Sequence, residues 1–282
     1  VHPNGTPPDW DWAWVDVAVP RPAHRLPGIS MAGFGARAPV SAEIAMVAHP
    51  AVTLFIDLSE DEGFGCRTGG RRERGSVAVG LLPGELRAGG RAGECLQIRL
   101  EPVSAAAVLG ASAELGGMAV PLADVWGRDA RRAEDELRAA PSWDDRFALA
   151  AALLRRKTSA RPPVDPEVAH AWRRTLAGPG RVRVDGLADE VGWSRKRLWS
   201  RFRSQLGITP KRAARLARFD RAAHLLAAGH PAAVAAVRSG YTDQAHLHRE
   251  VKAFTGLTPT AVAAAPWLAI DDVAWPRRSV PA

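Results

Sequence analysis

Two short basic segments carry side chains that can hydrogen-bond to phosphates and base edges. In the first, Arg195, Lys196, Arg197, Trp199, Ser200, Arg201 and Arg203 surround the apolar pair Leu198 and Phe202. In the second, Gln244, Ala245, His248, Arg249 and Lys252 surround Leu247, Val251 and Phe254. Apolar residues three and four apart share one face of a helix, so the basic and polar residues face outward. A helix with an apolar stripe on one side and Arg, Lys and Gln on the other fits the major groove of duplex DNA.

The flanking residues predict how these helices are held. Gly192-Trp193-Ser194 precedes the first segment and Leu206-Gly207-Ile208-Thr209-Pro210 closes it. Gly240-Tyr241-Thr242-Asp243 and Gly256-Leu257-Thr258-Pro259 repeat the pattern about 48 residues later, a period that suits a duplicated supersecondary unit. Each unit reads as helix, glycine turn and outward-facing helix. Leu187–Val191 leads into Ser194–Leu206, and Ala232–Ser239 leads into Asp243–Thr255. Gly192 and Gly240 make the turns, where positive φ is needed. Trp193 and Tyr241 pack beneath them, Ser194 caps the first helix, and Thr242 or Asp243 caps the second. Leu187, Ala188 and Val191 are the expected buried face of the first leading helix; Val234 and Val237 are that of the second. A long helix over Lys211–Ala227 joins the units.

Charge is segregated in the same way. The chain of 282 residues has a formal net charge of +8. Residues 1–160 hold 18 Lys/Arg against 20 Asp/Glu, whereas residues 161–282 hold 20 against 10. The excess of +10 therefore lies in the half that carries the repeat, the footprint expected for a polyanionic partner. Two cysteines, Cys66 and Cys95, exclude a disulfide scaffold or a four-cysteine zinc site. No apolar run reaches the length of a membrane helix, and Val1–Trp14 carries no export pattern, so the chain reads as cytoplasmic with no membrane partner.

The remaining chain reads as α+β. Short apolar runs at Ile44–Val47, Val52–Leu58, Val77–Leu82 and Leu96–Leu100 are strand-like, and Gly63–Gly75, with Arg71, Arg72 and Arg74, reads as a long hairpin loop. Helices follow at Ser104–Leu109, capped by Ser104, at Asp129–Ala139, and at Trp143–Lys157, capped by Ser142. A further helix opens at Asp165-Pro166-Glu167 and stops at Gly178-Pro179-Gly180. The domain reading is 1–157 for sensing or oligomerisation, 158–163 as linker, 164–265 for DNA binding, and 266–282 as a tail without pattern.

The residues Gly240, Tyr241, Asp243, His246, Leu247, Arg249, Val251, Lys252, Gly256 and Pro259 carry a resemblance. At this spacing the C-terminal part resembles the DNA-binding domain of the AraC/XylS family of bacterial transcription regulators. Leu247 and Val251 stand where that pattern has aromatics. The resemblance implies base reading by Lys196, Trp199 and Ser200 in the first unit, and by Gln244, Ala245, His248 and Arg249 in the second. Arg195, Arg197, Arg201, Arg203 and Lys252 are then expected at phosphates. It also implies an N-terminal β-rich, cupin-like half-barrel with trailing helices, ahead of an all-α double helix-turn-helix domain. Double-stranded DNA is the implied partner; RNA polymerase, a small-molecule effector and a second copy of the chain remain open.

Several residues invite other chemistry. Only His2, His24 and His49 precede residue 160, too few for the histidine cluster of a metal-binding barrel, so no metal or cofactor is expected. His246 and His248 lie two apart on a helix and point to different faces. Trp10, Trp12 and Trp14 alternate at strand spacing and read as a covering strand. The arginines at 71, 72 and 74 read as a solvated loop, and the two cysteines as one buried residue and one loop thiol. No catalytic constellation is present. The rival readings are a constitutive DNA binder whose N-terminal half only oligomerises, and an enzyme domain fused to a DNA reader.

Overall fold

The computed structural model describes residues 15–36, 42–59, 63–81, 86–90, 93–110, 112–160, 164–178, 183–265, 268 and 271–275. The Trp10, Trp12 and Trp14 stripe and Pro179-Gly180 lie outside them. The strands are β1 (Val15–Ala18), β2 (Ile29–Ala36), β3 (Ala42–Met46), β4 (Val52–Asp57), β5 (Phe64–Thr68), β6 (Arg71–Arg74), β7 (Val77–Val79), β8 (Leu86–Gly90), β9 (Glu94–Leu100) and β10 (Ala119–Pro121). They form two antiparallel sheets, ordered β1-β2-β9-β4-β7-β10 and β3-β8-β5-β6. Helices α1 (Pro102–Leu109), α2 (Ser112–Leu115), α3 (Leu122–Trp126), α4 (Arg128–Ala139) and α5 (Trp143–Ser159) follow.

The period-two alternation of β4 sets the layering. Leu54 and Ile56 join Leu96, Ile98 and Leu100 of β9 against Val108, Phe147 and Leu154 of the helices. Phe55, on the other face, meets Cys66, Leu86 and Ala88 of the four-stranded sheet. Gln97 of β9 pairs with Phe55 on one side and Ala32 on the other, so these three share that face. Ala32 is covered by Ala274 and Trp275. The C-terminal segment thus continues the cover that the second sheet begins. Trp143 lies so close to β2 that a Cβ on Gly33 would run into its ring; glycine here is a packing requirement.

Several sequence expectations need correction. Helix α1 starts at Pro102, with no side-chain cap, and Ser104 lies inside it; proline at the first helical position needs no N–H partner. Gly63–Gly75 is not a long loop. Strands β5 and β6 pair up to a two-residue turn at Gly69-Gly70, both with positive φ, as a tight hairpin requires. Thr158 and Ser159, expected in the linker, end α5; residues 161–163 lie outside the described residues. The tail contains a short terminal helix, Asp271–Ala274.

The C-terminal half is helical: α6 (Pro166–Ala177), α7 (Val184–Glu190), α8 (Arg195–Leu206), α9 (Pro210–Ala227), α10 (Ala232–Arg238), α11 (Gln244–Thr255) and α12 (Pro259–Ala263). Among the described residues, no helix is long and apolar enough to cross a membrane. One apolar cluster runs from Ile29 in β2 to Leu268, and α8 packs against α1 and α2.

Candidate nucleic-acid interface

The two helical pairs are built by the same local bonds. In the α7–α8 turn, Gly192 N–H donates to the Asp189 carbonyl at 3.1 Å and Trp193 N–H to Ala188 at 2.9 Å. In the α10–α11 turn, Gly240 N–H donates to Val237 at 3.1 Å and Tyr241 N–H to Ala236 at 2.9 Å. Gly192 and Gly240 have φ of 67° and 83°, where a Cβ would be strained. Ser194 Oγ accepts from Arg197 N–H at 3.2 Å, and Asp243 Oδ1 from His246 N–H at 2.7 Å. Asp243, rather than Thr242, is therefore the second cap. Both helices end on a left-handed glycine, Gly207 and Gly256.

The leading helices bury equivalent positions. Leu187 and Ala188 of α7 are buried, as are Ala235 and Ala236 of α10. Val234 and Val237, expected in the second buried face, point outward, Val237 being 69% exposed. The turn fixes the phase of α10 and puts the alanines inward, so two valines three apart mislead. The core sides of α8 and α11 agree with expectation: Leu198, Phe202, Leu247 and Val251 are fully buried.

Every side chain expected to read bases is on the surface. Lys196, Trp199 and Ser200 of α8 are exposed, and so are Gln244, Ala245, His248 and Arg249 of α11. The arginines expected at phosphates are exposed but engaged. Arg195 pairs with Asp185 at 3.1 Å, and Arg201 grips both carboxylate oxygens of Asp165 at 2.7 and 3.0 Å. Arg197 lies over the Trp193 ring at 4.4 Å, and Arg203 over Trp199 at 5.3 Å. Lys252 is exposed on the last turn of α11. His246 is half-buried, edge-on to Tyr241 at 5.2 Å.

Three carboxylates hold the units in place; of these the sequence marks only Asp165, as a helix start. Glu250 is buried on α11 and accepts from Arg215 Nε of α9 at 2.7 Å, with Arg218 Nη2 at 3.9 Å. It sits three residues after Leu247 and four before Phe254, inside the apolar stripe. A carboxylate at such a position signals a buried ion pair. Glu190 ties the end of α7 to Arg174 and His170 of α6; the Arg174 bonds, then that of His170, bring its pKa down to about 2. Asp165 is held below the usual carboxylate range by Arg201, then by Gln205. Helix α9 buries Ala213, Leu216, Phe219, Ala223 and Leu226 and packs against α6, α8, α10, α11 and α12.

This duplicated geometry agrees with the sequence comparison, in which residues 187–265 match the family described as Helix-turn-helix domain, of AraC type. Those residues form an AraC-type helix-turn-helix domain. With it, the chain is a DNA-binding transcription regulator. The AraC-type domain is similar to the C-terminal domain of AraT, a response regulator from Geobacillus stearothermophilus, at 22% identity over 36% of this chain and 86% of that one (TM-score 0.34). It is also similar to an AraC-type regulator from Chromobacterium violaceum, at 23% identity over 40% and 96% (TM-score 0.34). ToxT from Vibrio cholerae O395 aligns over 90% of this chain and 98% of its own, at 8% identity and a TM-score of 0.47. No curated protein matches the sequence.

Among the described residues no group of three or more His, Cys, Asp or Glu is placed to hold a metal. Cys66 is buried between the sheets and Cys95 packs beside that cluster. Burial, then the neighbouring Asp57 charge, pushes the Cys95 thiol up, away from the reactive thiolate.

Proposed function

We propose that both helix-turn-helix units read one operator together, with Lys196, Trp199 and Ser200 meeting one major-groove segment and Gln244, Ala245, His248 and Arg249 the next. The observation that carries this reading is the equivalence of the two turns, each presenting an exposed polar and basic face on a helix anchored to α9. Two such helices about one DNA turn, roughly 34 Å, apart enter successive grooves on one side of the duplex. Ala245 suits a thymine methyl, and Arg249 and Gln244 suit guanine or adenine edges. Lys252, Arg197 and Arg203 are the phosphate contacts best supported, because Arg201 is already bidentate on Asp165.

The N-terminal sheets are read as the regulatory input. Their shared interior is apolar around Phe55, Cys66, Val77 and Leu86. On the Phe55 face, the Gln97 amide nitrogen is buried with no hydrogen-bond partner among the described residues, a donor for an effector that brings an acceptor. As a bacterial DNA binder, the protein acts in the cytoplasm. The test is binding of the full chain to duplex DNA across a salt series. Affinity should fall steeply and log-linearly with salt, through release of counterions. No binding at low salt, or binding indifferent to salt, refutes the reading.

A further inference from the structure

The chain returns on itself at its C-terminal end. Asp271 Oδ1 accepts from Arg99 Nη1 of β9 at 2.7 Å, and Oδ2 lies 2.9 Å from His224 Nε2 of α9. Its side chain is 10% exposed and that of Arg99 12%. His224 Nδ1 faces the Asp220 carbonyl at 2.7 Å. Both ring nitrogens therefore face oxygen acceptors. One carboxylate thus joins a strand of the N-terminal sheet to the central helix of the DNA-binding domain. Four residues on, Trp275 lies under the Arg99 guanidinium at 4.1 Å and packs on Ala32 of β2. Burial alone would raise the Asp271 carboxyl, but His224 and Arg99 hold it well below the usual range.

The tie reaches a sensitive place. His224 lies three residues before the end of α9, and α10, which opens the second unit, begins at Ala232. The first unit touches the N-terminal half separately, through α8 against α1 and α2. The N-terminal half therefore grips the first unit directly and, through residues 271–275, the end of α9 that leads into the second. The reading faces of α8 and α11 are both exposed while this grip is closed, so it does not block them.

We propose that residues 271–275 are an interdomain splint, in which Asp271 and Trp275 fasten the N-terminal sheet to α9 and so fix how the two recognition helices are presented. This rests on the two-unit reading above. A preorganised pair of readers loses less freedom on binding than a loose pair. Changes in the N-terminal sheet would reach the DNA-binding domain through Arg99.

The splint is tested in the full chain with spin labels at Arg72→Cys and Ala253→Cys, both exposed positions on opposite halves. Cys66 is buried, and Cys95 is half-buried with its thiol pushed up, so both can stay. The label-to-label distances should be narrowly distributed in the parent chain and broad after Asp271→Asn, with Trp275→Ala between. Affinity for the selected DNA site should fall about tenfold in Asp271→Asn. If that variant does not fold, a chain ending at Ala265 carries the same test, because Arg99 then faces water instead of being sealed in alone. An unchanged distance distribution overturns the splint. Broadened distances with unchanged DNA affinity overturn its role in presenting the readers. The distance measurement needs no DNA, so failure of the DNA reading itself is seen separately, as loss of binding by the parent chain.

Discussion

Replacing Glu250 by Gln should loosen the second recognition helix without touching its reading face. Glu250 is 7% exposed and sits between Leu247 and Phe254, with Arg215 Nε and Nη2 at 2.7 and 2.6 Å. Gln keeps the shape and one acceptor oxygen but loses the charge that balances Arg215 and Arg218. Removing one partner of a fully buried pair costs about 3–5 kcal/mol, because the other charge is stranded. Here the Arg215 side chain is 39% exposed and that of Arg218 21%, so water recovers part of the loss. The expected cost is about 1–3 kcal/mol, read as a lower urea midpoint with an unchanged slope. DNA affinity should fall as well, because α11 is held to α9 by this pair and by Phe219 against Phe254 at 4.7 Å. A stability loss below about 0.5 kcal/mol, the range of ordinary surface changes, would refute the assignment of Glu250 as an anchor.

The His49 ring is lowered to about 3, by burial first and then by Arg99; the residue is partly exposed but its Nδ1 is sealed and unpartnered. The unfolded chain takes up a proton near pH 6.5 and the folded chain does not, so this stability is present above pH 6.5 and is lost as pH falls towards 3. Between pH 7 and 5 the wild type should lose up to about 2 kcal/mol more than His49→Gln; parallel urea curves for the two proteins would contradict this. Gly33→Ala drives a methyl into the Trp143 ring and should cost about 1–3 kcal/mol or more by overpacking, again read from the urea midpoint; a neutral result would mean that β2 and α5 do not meet this closely. Arg203→Ala, on the Trp199 ring, should weaken binding to all DNA sequences nearly alike and flatten the salt dependence; a change in preferred sequence would make it a base reader.

What was legible in the sequence is what local chemistry specifies. The glycine turns, the Ser194 cap and the Leu198–Phe202 stripe depend on neighbours within a few residues, so α8 and α11 were readable to within a residue at their starts. The errors have different causes. Val234 and Val237 share helical spacing with a buried face, but the turn geometry turns Ala235 and Ala236 inward. Glu250 lies on a basic helix, where charge ordinarily marks the solvent face; only its place in the apolar stripe sets it apart. Strand β2, Ile-Ser-Met-Ala-Gly-Phe-Gly-Ala, carries two glycines, which disfavour a strand, and only the approach of Trp143 explains Gly33. The docking of Asp271 on Arg99 spans 172 residues, and no local pattern announces it.

Two recognition helices of one chain that read one DNA site should leave a two-part signature in the sequences they select. That signature is read by selecting bound sequences from random duplex DNA, with the wild type, Lys196→Ala and Arg249→Ala run in parallel. The wild type should select two specified blocks about one helical turn apart. Lys196→Ala should relax one block and Arg249→Ala the other, at a cost of about 1–3 kcal/mol each. A single specified block, or variants that lose affinity uniformly while selecting the wild-type sequence, would contradict it.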